Sequence, residues 1–358
     1  MVKKKDKFLS KVRRKLSRNI YLFRFLFFSL IGGAVIFALN FILPTSLRLV
    51  RSLFKEPLLL ASHSFEDLRS TDGRINILFL GAGGSNHQGA DLTDSIIFVS
   101  LGLENQDILM LSLPRDIWIP SMRAKINTAY HYGEKKRPGG GLVLAKSAVS
   151  EILDQPVHYA VLVNFQGFIK AIDLLGGVDI EVERSFDDYK YPIPGMENAQ
   201  PEELRFEQLH FDVGWQHLDG DRALKYARSR YADGEEGTDF ARSKRQQKLI
   251  LALMKKVFSS KTFLSPQRIF ELGKILKEYL DTDLYQEDYL SFLELALRFR
   301  QGEIRSAILD GITGVEEGYL INPPQSEKYD QQWVLVPRTG DWQEIQKYVV
   351  SLIEKKDK

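Results

Sequence analysis

Four stretches of the chain are apolar at nearly every position for the length of a strand: Arg74–Leu80 (RINILFL), Ser95–Leu101 (SIIFVSL), Asp107–Leu113 (DILMLSL) and Tyr159–Asn164 (YAVLVN). Such runs predict strands covered on both faces. The second and third are separated by the polar turn Glu104-Asn105-Gln106. Val178–Val182 predicts a further strand and Trp333–Val336 a late one. Helical patterning predicts a short helix over Lys125–Tyr132, one over Leu142–Leu153 introduced by three glycines, and one over Phe165–Leu175 closed by Gly176-Gly177. Later helices are expected at Lys248–Val257, Pro266–Tyr279, Glu287–Phe299 and Trp342–Ile353. In two of these, Ile269, Leu272, Ile275 and Leu276, and Leu290, Leu293 and Leu297, recur at core-packing spacing. Strands alternating with helices point to an α/β layered domain. Residues 186–211, with three prolines and several acids, read as a long surface excursion.

The N-terminus follows other rules. Phe25–Leu43 (FLFFSLIGGAVIFALNFIL) has one strongly polar residue, Asn40, and the length of a bilayer-spanning helix. Met1–Arg18 is dense in lysine and arginine against a single acid, Asp6, which places the N-terminus on the cytoplasmic side. No small-residue cleavage site closes the apolar run, so the expectation is an uncut single-pass anchor in the cell membrane. The predicted organisation is a basic tail over residues 1–24, an anchor over 25–43, a connector over 44–70 and an extracytoplasmic domain over 71–353. With no cysteine, that domain relies on its core alone. The 358 residues, 44% hydrophobic and 27% charged, are enough to build one.

Candidate chemistry gathers in Leu218–Gln247. A short helix through Ala223, Leu224 and Ala227 runs into Arg228-Ser229-Arg230, whose arginines point the same way if the chain is extended there. An acidic loop then leads to Asp239, Arg242, Arg245 and Gln246 on one helical face. Guanidinium forks match phosphate oxygens, and a pyrophosphate suits such a cluster. The same residues also suit a solvated helix with Glu235, Glu236 and Asp239 neutralising the arginines.

Three loops add candidates. The glycine-rich Gly81–Asp94 loop offers backbone amides and Asp94, but neither nucleotide-binding fingerprint. Ser112–Asp116 carries Arg115 and Asp116. Lys125, Asn127 and Tyr130 supply a cation, an amide and a phenol within one expected helical turn. Arginines this dense beside Asp94 and Asp239 call for an anion, with a divalent metal bridging phosphate oxygens. No His/Cys cluster suits zinc and no serine sits in a nucleophile elbow. Without a basic surface excess, nucleic acid is set aside as a partner.

The motifs NILFLG, LTDS, SLPRD, KINTAY, VNFQGF, DLLGGVDIEV, LDGDRALKYARSR and DFARSKRQQ, in that order over residues 74–258, resemble the LytR-CpsA-Psr family of cell-wall glycopolymer transferases. The resemblance implies an α/β/α sandwich around a mainly mixed sheet. It further implies transfer of a phosphoglycan, of teichoic acid or polysaccharide type, from a polyprenyl pyrophosphate carrier to peptidoglycan, with magnesium (or manganese) on the pyrophosphate. Carried onto this chain, Asp94 would be a metal ligand. Arg115, Arg228 and Arg230 would bind pyrophosphate, Arg242, Arg245 and Gln246 would complete the cradle, and Asp239 would orient an arginine. Asp94 and Asp116 are both open as proton acceptor. Two positions depart from the family pattern: Ala82 stands where an aspartate is usual, and Leu92 where an arginine is usual. Either Asp91 or His87 substitutes as ligand, or Asp94 and the phosphates hold the metal alone, or metal dependence is weak. A hydrolase using the same site, and a non-catalytic tether, are the alternatives.

Overall fold

The computed structural model describes residues 67–84, 90–257, 259, 265–285, 287–299, 302–309 and 318–354. The apolar runs form β1 (Arg74–Ala82), β2 (Thr93–Gly102) and β3 (Ile108–Ser112). A two-strand ladder follows, β4 (Trp118–Ile119) with β5 (Ala124–Lys125), and then α1 (Ala129–Lys136) and α2 (Gly140–Leu153). β6 (Tyr159–Asn164) leads directly into α3 (Phe165–Leu174), which is capped by the Asn164 side chain accepting from Gly167 N–H. Next come β7 (Val178–Val182), β8 (Phe186–Pro192), β9 (Phe206–Phe211) and β10 (Gly214–Leu218). The chain continues through α4 (Gly220–Arg228), α5 (Asp239–Val257), α6 (Pro266–Tyr279), β11 (Leu280–Thr282), α7 (Asp288–Arg298) and β12 (Ile304–Ile308). It closes with β13 (Leu320–Ile321), β14 (Val336–Pro337) and α8 (Gln343–Glu354).

Six strands make the central sheet in the order β11-β6-β1-β2-β3-β12. β1 pairs antiparallel with β2 and parallel with β6, and β12 lies parallel to β3, so the sheet is mixed. Alternate residues of each strand feed two cores. Leu78, Leu80, Ile96, Phe98 and Leu111 meet α2 and α8 through Val149, Ile152, Ile345 and Val349. On the other face Ile75, Ile77, Ile97, Val99 and Met110 meet α5 and α7 through Leu251, Leu295 and Phe299. Strands apolar at every position are what a sheet covered by helices on both sides requires.

Residues 186–211 are not a surface excursion. β8 and β9 pair antiparallel, and Phe186, Tyr191, Leu209 and Phe211 are buried in a third core with Ile172, Val178, Tyr226 and Leu249. Phe186 stacks on Phe211 with ring centroids 5.1 Å apart. A few large aromatics supply the burial that prolines and acids mask in the pattern. Two further expectations are corrected. Lys125–Tyr132 is not one helical turn, because Lys125 ends β5, a 3-10 turn covers Ile126–Thr128, and the α-helix starts at Ala129. Of Trp333–Val336 only Val336 enters a strand, and Trp333 is half exposed. The expected tail and anchor, and all of the connector before residue 67, lie outside the described residues. Among the described residues no helix is long and apolar enough to cross a membrane.

Candidate functional site

The sheet register brings the candidate loops to one end. Ala82 pairs with both Thr93 and Asn164, and Ser112 with both Ile97 and Ile308. The C-terminal ends of β1, β3, β6 and β12 and the start of β2 therefore lie together, the end of an open α/β sheet where ligands gather. Alternation puts Asp94 on the same face as Ile96 and Phe98. The loop after β3 is pinned at its backbone: Asn127 N–H donates to Arg115 O at 3.2 Å and Leu335 N–H to Asp116 O at 3.0 Å.

From that loop Arg115 reaches two carboxylates. Its Nη1 pairs with Asp94 Oδ1, and its Nε lies 3.4 Å from Asp116 Oδ2. Burial disfavours the Arg115 charge, but Asp94 and Asp116 outweigh burial and raise its pKa. Lys125 Nζ holds the other oxygen of Asp116 at 2.8 Å, so the Asp116 carboxylate is closed between two cations and buried. Asp94 is more open.

The second wall is the first turn of α5. Gln247, buried two turns further on, anchors this helix to the sheet by donating to Ser112 Oγ and Ala307 O, both at 2.9 Å. Arg242 Nη2 pairs with Asp239 Oδ1 at 2.7 Å. Burial pushes the Arg242 pKa down to about 10; Asp239 opposes the fall, and the charges of Arg230 and Arg115 add to it. It stays cationic at neutral pH. Three guanidinium groups thus stand close enough to repel one another, and the Arg230 side chain is exposed with no ion pair among the described residues. An anion entering here gains fixed, partly desolvated positive charge.

Arg228 lies on the far side of Ser229. Its guanidinium stacks 4.3 Å from the Phe165 ring and donates to Tyr191 Oη at 3.2 Å. A cavity of about 750 Å³ opens beside the cluster, and Asp94, Arg115, Asp239, Arg242, Arg245 and Gln246 are among the polar residues that line it. Ile96, Leu113, Ile308, Leu320 and Leu335 line its apolar wall. Lys125, Arg228 and Arg230 are not on its walls.

The LytR_cpsA_psr family model matches residues 55–335. The chain belongs to that family. It is 28% identical over 244 residues to the polyisoprenyl-teichoic acid–peptidoglycan teichoic acid transferase TagV of Bacillus subtilis (strain 168), covering 66% of this chain and 56% of that protein. It is 30% identical over 229 residues to the corresponding transferase TagU of Bacillus cereus, covering 58% and 66%. The chain thus spans less than two thirds of the length of these curated relatives. The solved structure of B. subtilis TagV superposes with a TM-score of 0.55 at 23% identity over 80% of this chain and all of that one, a shared fold.

Within this family member the expected residues divide. Asp94, Arg115, Arg230, Asp239 and Arg242 come together, with Asp116 and Lys125 behind Arg115. Arg245 and Gln246 also line the cavity, but they donate to the last carbonyls of α4, Arg245 Nε to Tyr226 O and Gln246 Nε2 to Ala227 O. Asn127 is buried, its side-chain oxygen without a partner among the described residues. Tyr130 donates to Asp281 Oδ2 at 2.8 Å; burial first, then that bond and carboxylate, raise its pKa and keep the phenol protonated. Sequence reasoning missed Asp281, Phe165 and Asp188. Only the acid pair inside FDDYKYP hinted at Asp188.

The magnesium that the family resemblance implies needs several oxygen ligands. The described donors do not frame it. Asp94 is paired to Arg115, Ala82 presents a buried methyl on the same sheet face, and Asp91 Oδ2 lies 3.7 Å from His131. Among the described residues no three His, Cys, Asp or Glu side chains are placed to hold an ion. His87 lies outside them.

Proposed function

We propose that this chain is a membrane-anchored phosphotransferase that moves a phosphoglycan, of teichoic acid or polysaccharide type, from a polyprenyl pyrophosphate carrier to peptidoglycan outside the cell. The observation that carries the reading is the crowding of Arg115, Arg230 and Arg242 beside a cavity with an apolar wall, which Arg115 and Arg242 line. A pyrophosphate on a prenyl tail matches both halves of that description, and the curated relatives are named for such a transfer. The muramic hydroxyl attacks the glycan-side phosphorus, the P–O bond to the prenyl phosphate breaks, and the arginines meet the negative charge developing on the leaving group. Asp94 accepts the hydroxyl proton, being on the cavity wall. Asp116 is held closed by Lys125 and Arg115.

The test uses the full chain in detergent with a labelled prenyl-pyrophosphoryl glycan and peptidoglycan. Label appearing on peptidoglycan supports the reading. Free glycan phosphate identifies a hydrolase, and binding without turnover a tether.

A further inference from the structure

Helix α4 ends without a glycine, and Ser229 leaves it in a non-helical conformation (φ −51°, ψ 129°). The last carbonyls of a helix lack intrahelical donors and need partners when buried. Here α5 supplies them. Arg245 Nε donates to Tyr226 O at 3.0 Å and Nη2 to Ser229 O at 2.7 Å, while its Nη1 donates to Glu236 O and Oε2 at 2.9 and 2.8 Å. From the opposite side comes Asp188 of β8. One of its oxygens accepts from Ser229 Oγ at 2.7 Å, Arg230 N–H at 3.0 Å and Tyr231 N–H at 3.2 Å. The other accepts from Lys190 N–H at 3.0 Å. Asp188 and Arg245 are 0% and 3% exposed.

Opposite buried charges therefore grip one short piece of backbone, and the side chains flanking its centre are Arg228 and Arg230. Arg228 has further supports in Phe165 and Tyr191. Arg230 has no ion pair among the described residues, so its place depends on the backbone being held. We infer that Asp188 and Arg245 are positioning residues of the phosphate site. They fix the place of the Arg230 guanidinium relative to those of Arg242 and Arg115 and so make the site prefer a diphosphate to a monophosphate. The inference rests on the reading of the site as a pyrophosphate cradle.

Full-length protein is titrated calorimetrically with farnesyl pyrophosphate and farnesyl monophosphate, alongside thermal unfolding. The wild type prefers the diphosphate. Asp188→Asn and Arg245→Lys reduce that preference by about tenfold, and Ser229→Ala, which deletes one hydroxyl and leaves the fold intact, by about threefold. A control in the large core, Val349→Ala, lowers the unfolding temperature without moving the preference, which separates positioning from stability. If Asp188→Asn does not fold, Ser229→Ala decides. Variants that keep the wild-type preference, or lose affinity for both probes in parallel, overturn the inference alone. A wild type that does not prefer the diphosphate overturns the cradle reading and the inference with it.

Discussion

Arg242 and Arg245 lie three residues apart on one helix, both buried, and replacing each by methionine is expected to give opposite results. Arg242 carries its charge at a cost: a pKa pushed down to about 10, well below that of an ordinary guanidinium, corresponds to about 3 kcal/mol. For a cation with a depressed pKa the cost is present at all pH below about 10 and is relieved only above it, so it is in full force at neutrality. Methionine removes that net cost, in which the ion pair to the half-exposed Asp239 is already included. Arg242→Met is therefore expected to be as stable as the wild type or more so by up to about 3 kcal/mol. Its kcat/KM should fall by about two to three decades through loss of a phosphate donor. Arg245→Met instead leaves the Glu236 carboxylate and the Tyr226 and Ser229 carbonyls without their donor, a loss of about 3–5 kcal/mol. Calorimetric unfolding and the labelled-glycan transfer assay read both quantities. An Arg242→Met protein destabilised as much as Arg245→Met refutes the argument, because Arg242 would then be a brace and not a guest-binding charge.

Three other outcomes are expected. Asp116→Asn frees Arg115 and strands the Lys125 ammonium, lowering stability by about 1–3 kcal/mol and transfer by about tenfold or more in steady-state assays. His158 accepts from Asn76 N–H through Nδ1 and shares a 2.9 Å bond with Thr71 Oγ1 at Nε2, which suits the neutral ring, and burial, then Arg69 and Lys146, lower its pKa. Its contribution is present above the ordinary histidine pKa and is lost as pH falls through the depressed one, so denaturant titrations from pH 7 to 5 should weaken, and His158→Gln should flatten that slope. Ala82→Asp buries a carboxylate beside Asp94 and lowers the unfolding temperature; recovery in millimolar magnesium that the wild type does not show would establish that the single methyl is what departs from a metal site.

The sheet was legible because strands covered on both faces carry no polar alternation to confuse with a helix; Phe98 and Leu111 needed only to be apolar. Arg115, Arg230 and Arg242 stood out in the sequence as dense positive charge, a pattern that suits a solvated helix as well as an anion site. The division between Arg242 and Arg245 was not legible, since helical spacing places both on one face and only the ending of α4 decides which donors are consumed. Asp188 was hidden for a different reason. Its carboxylate is valuable through the backbone amides it meets, and backbone partners leave no mark in a sequence. The stretch around Lys125 misled because a 3-10 turn separates residues that an α-helix would align.

The proposed cradle draws on two foundations. Arg115 and Asp94 stand on the large sheet, whereas the backbone carrying Arg228 and Arg230 is held, through Tyr191 and Asp188, at the small aromatic cluster of Phe186, Tyr191, Phe211 and Tyr226. Mild denaturant that loosens the lesser foundation will scatter half of the positive charge while the greater one still reports a folded molecule, so inactivation should precede the main unfolding transition.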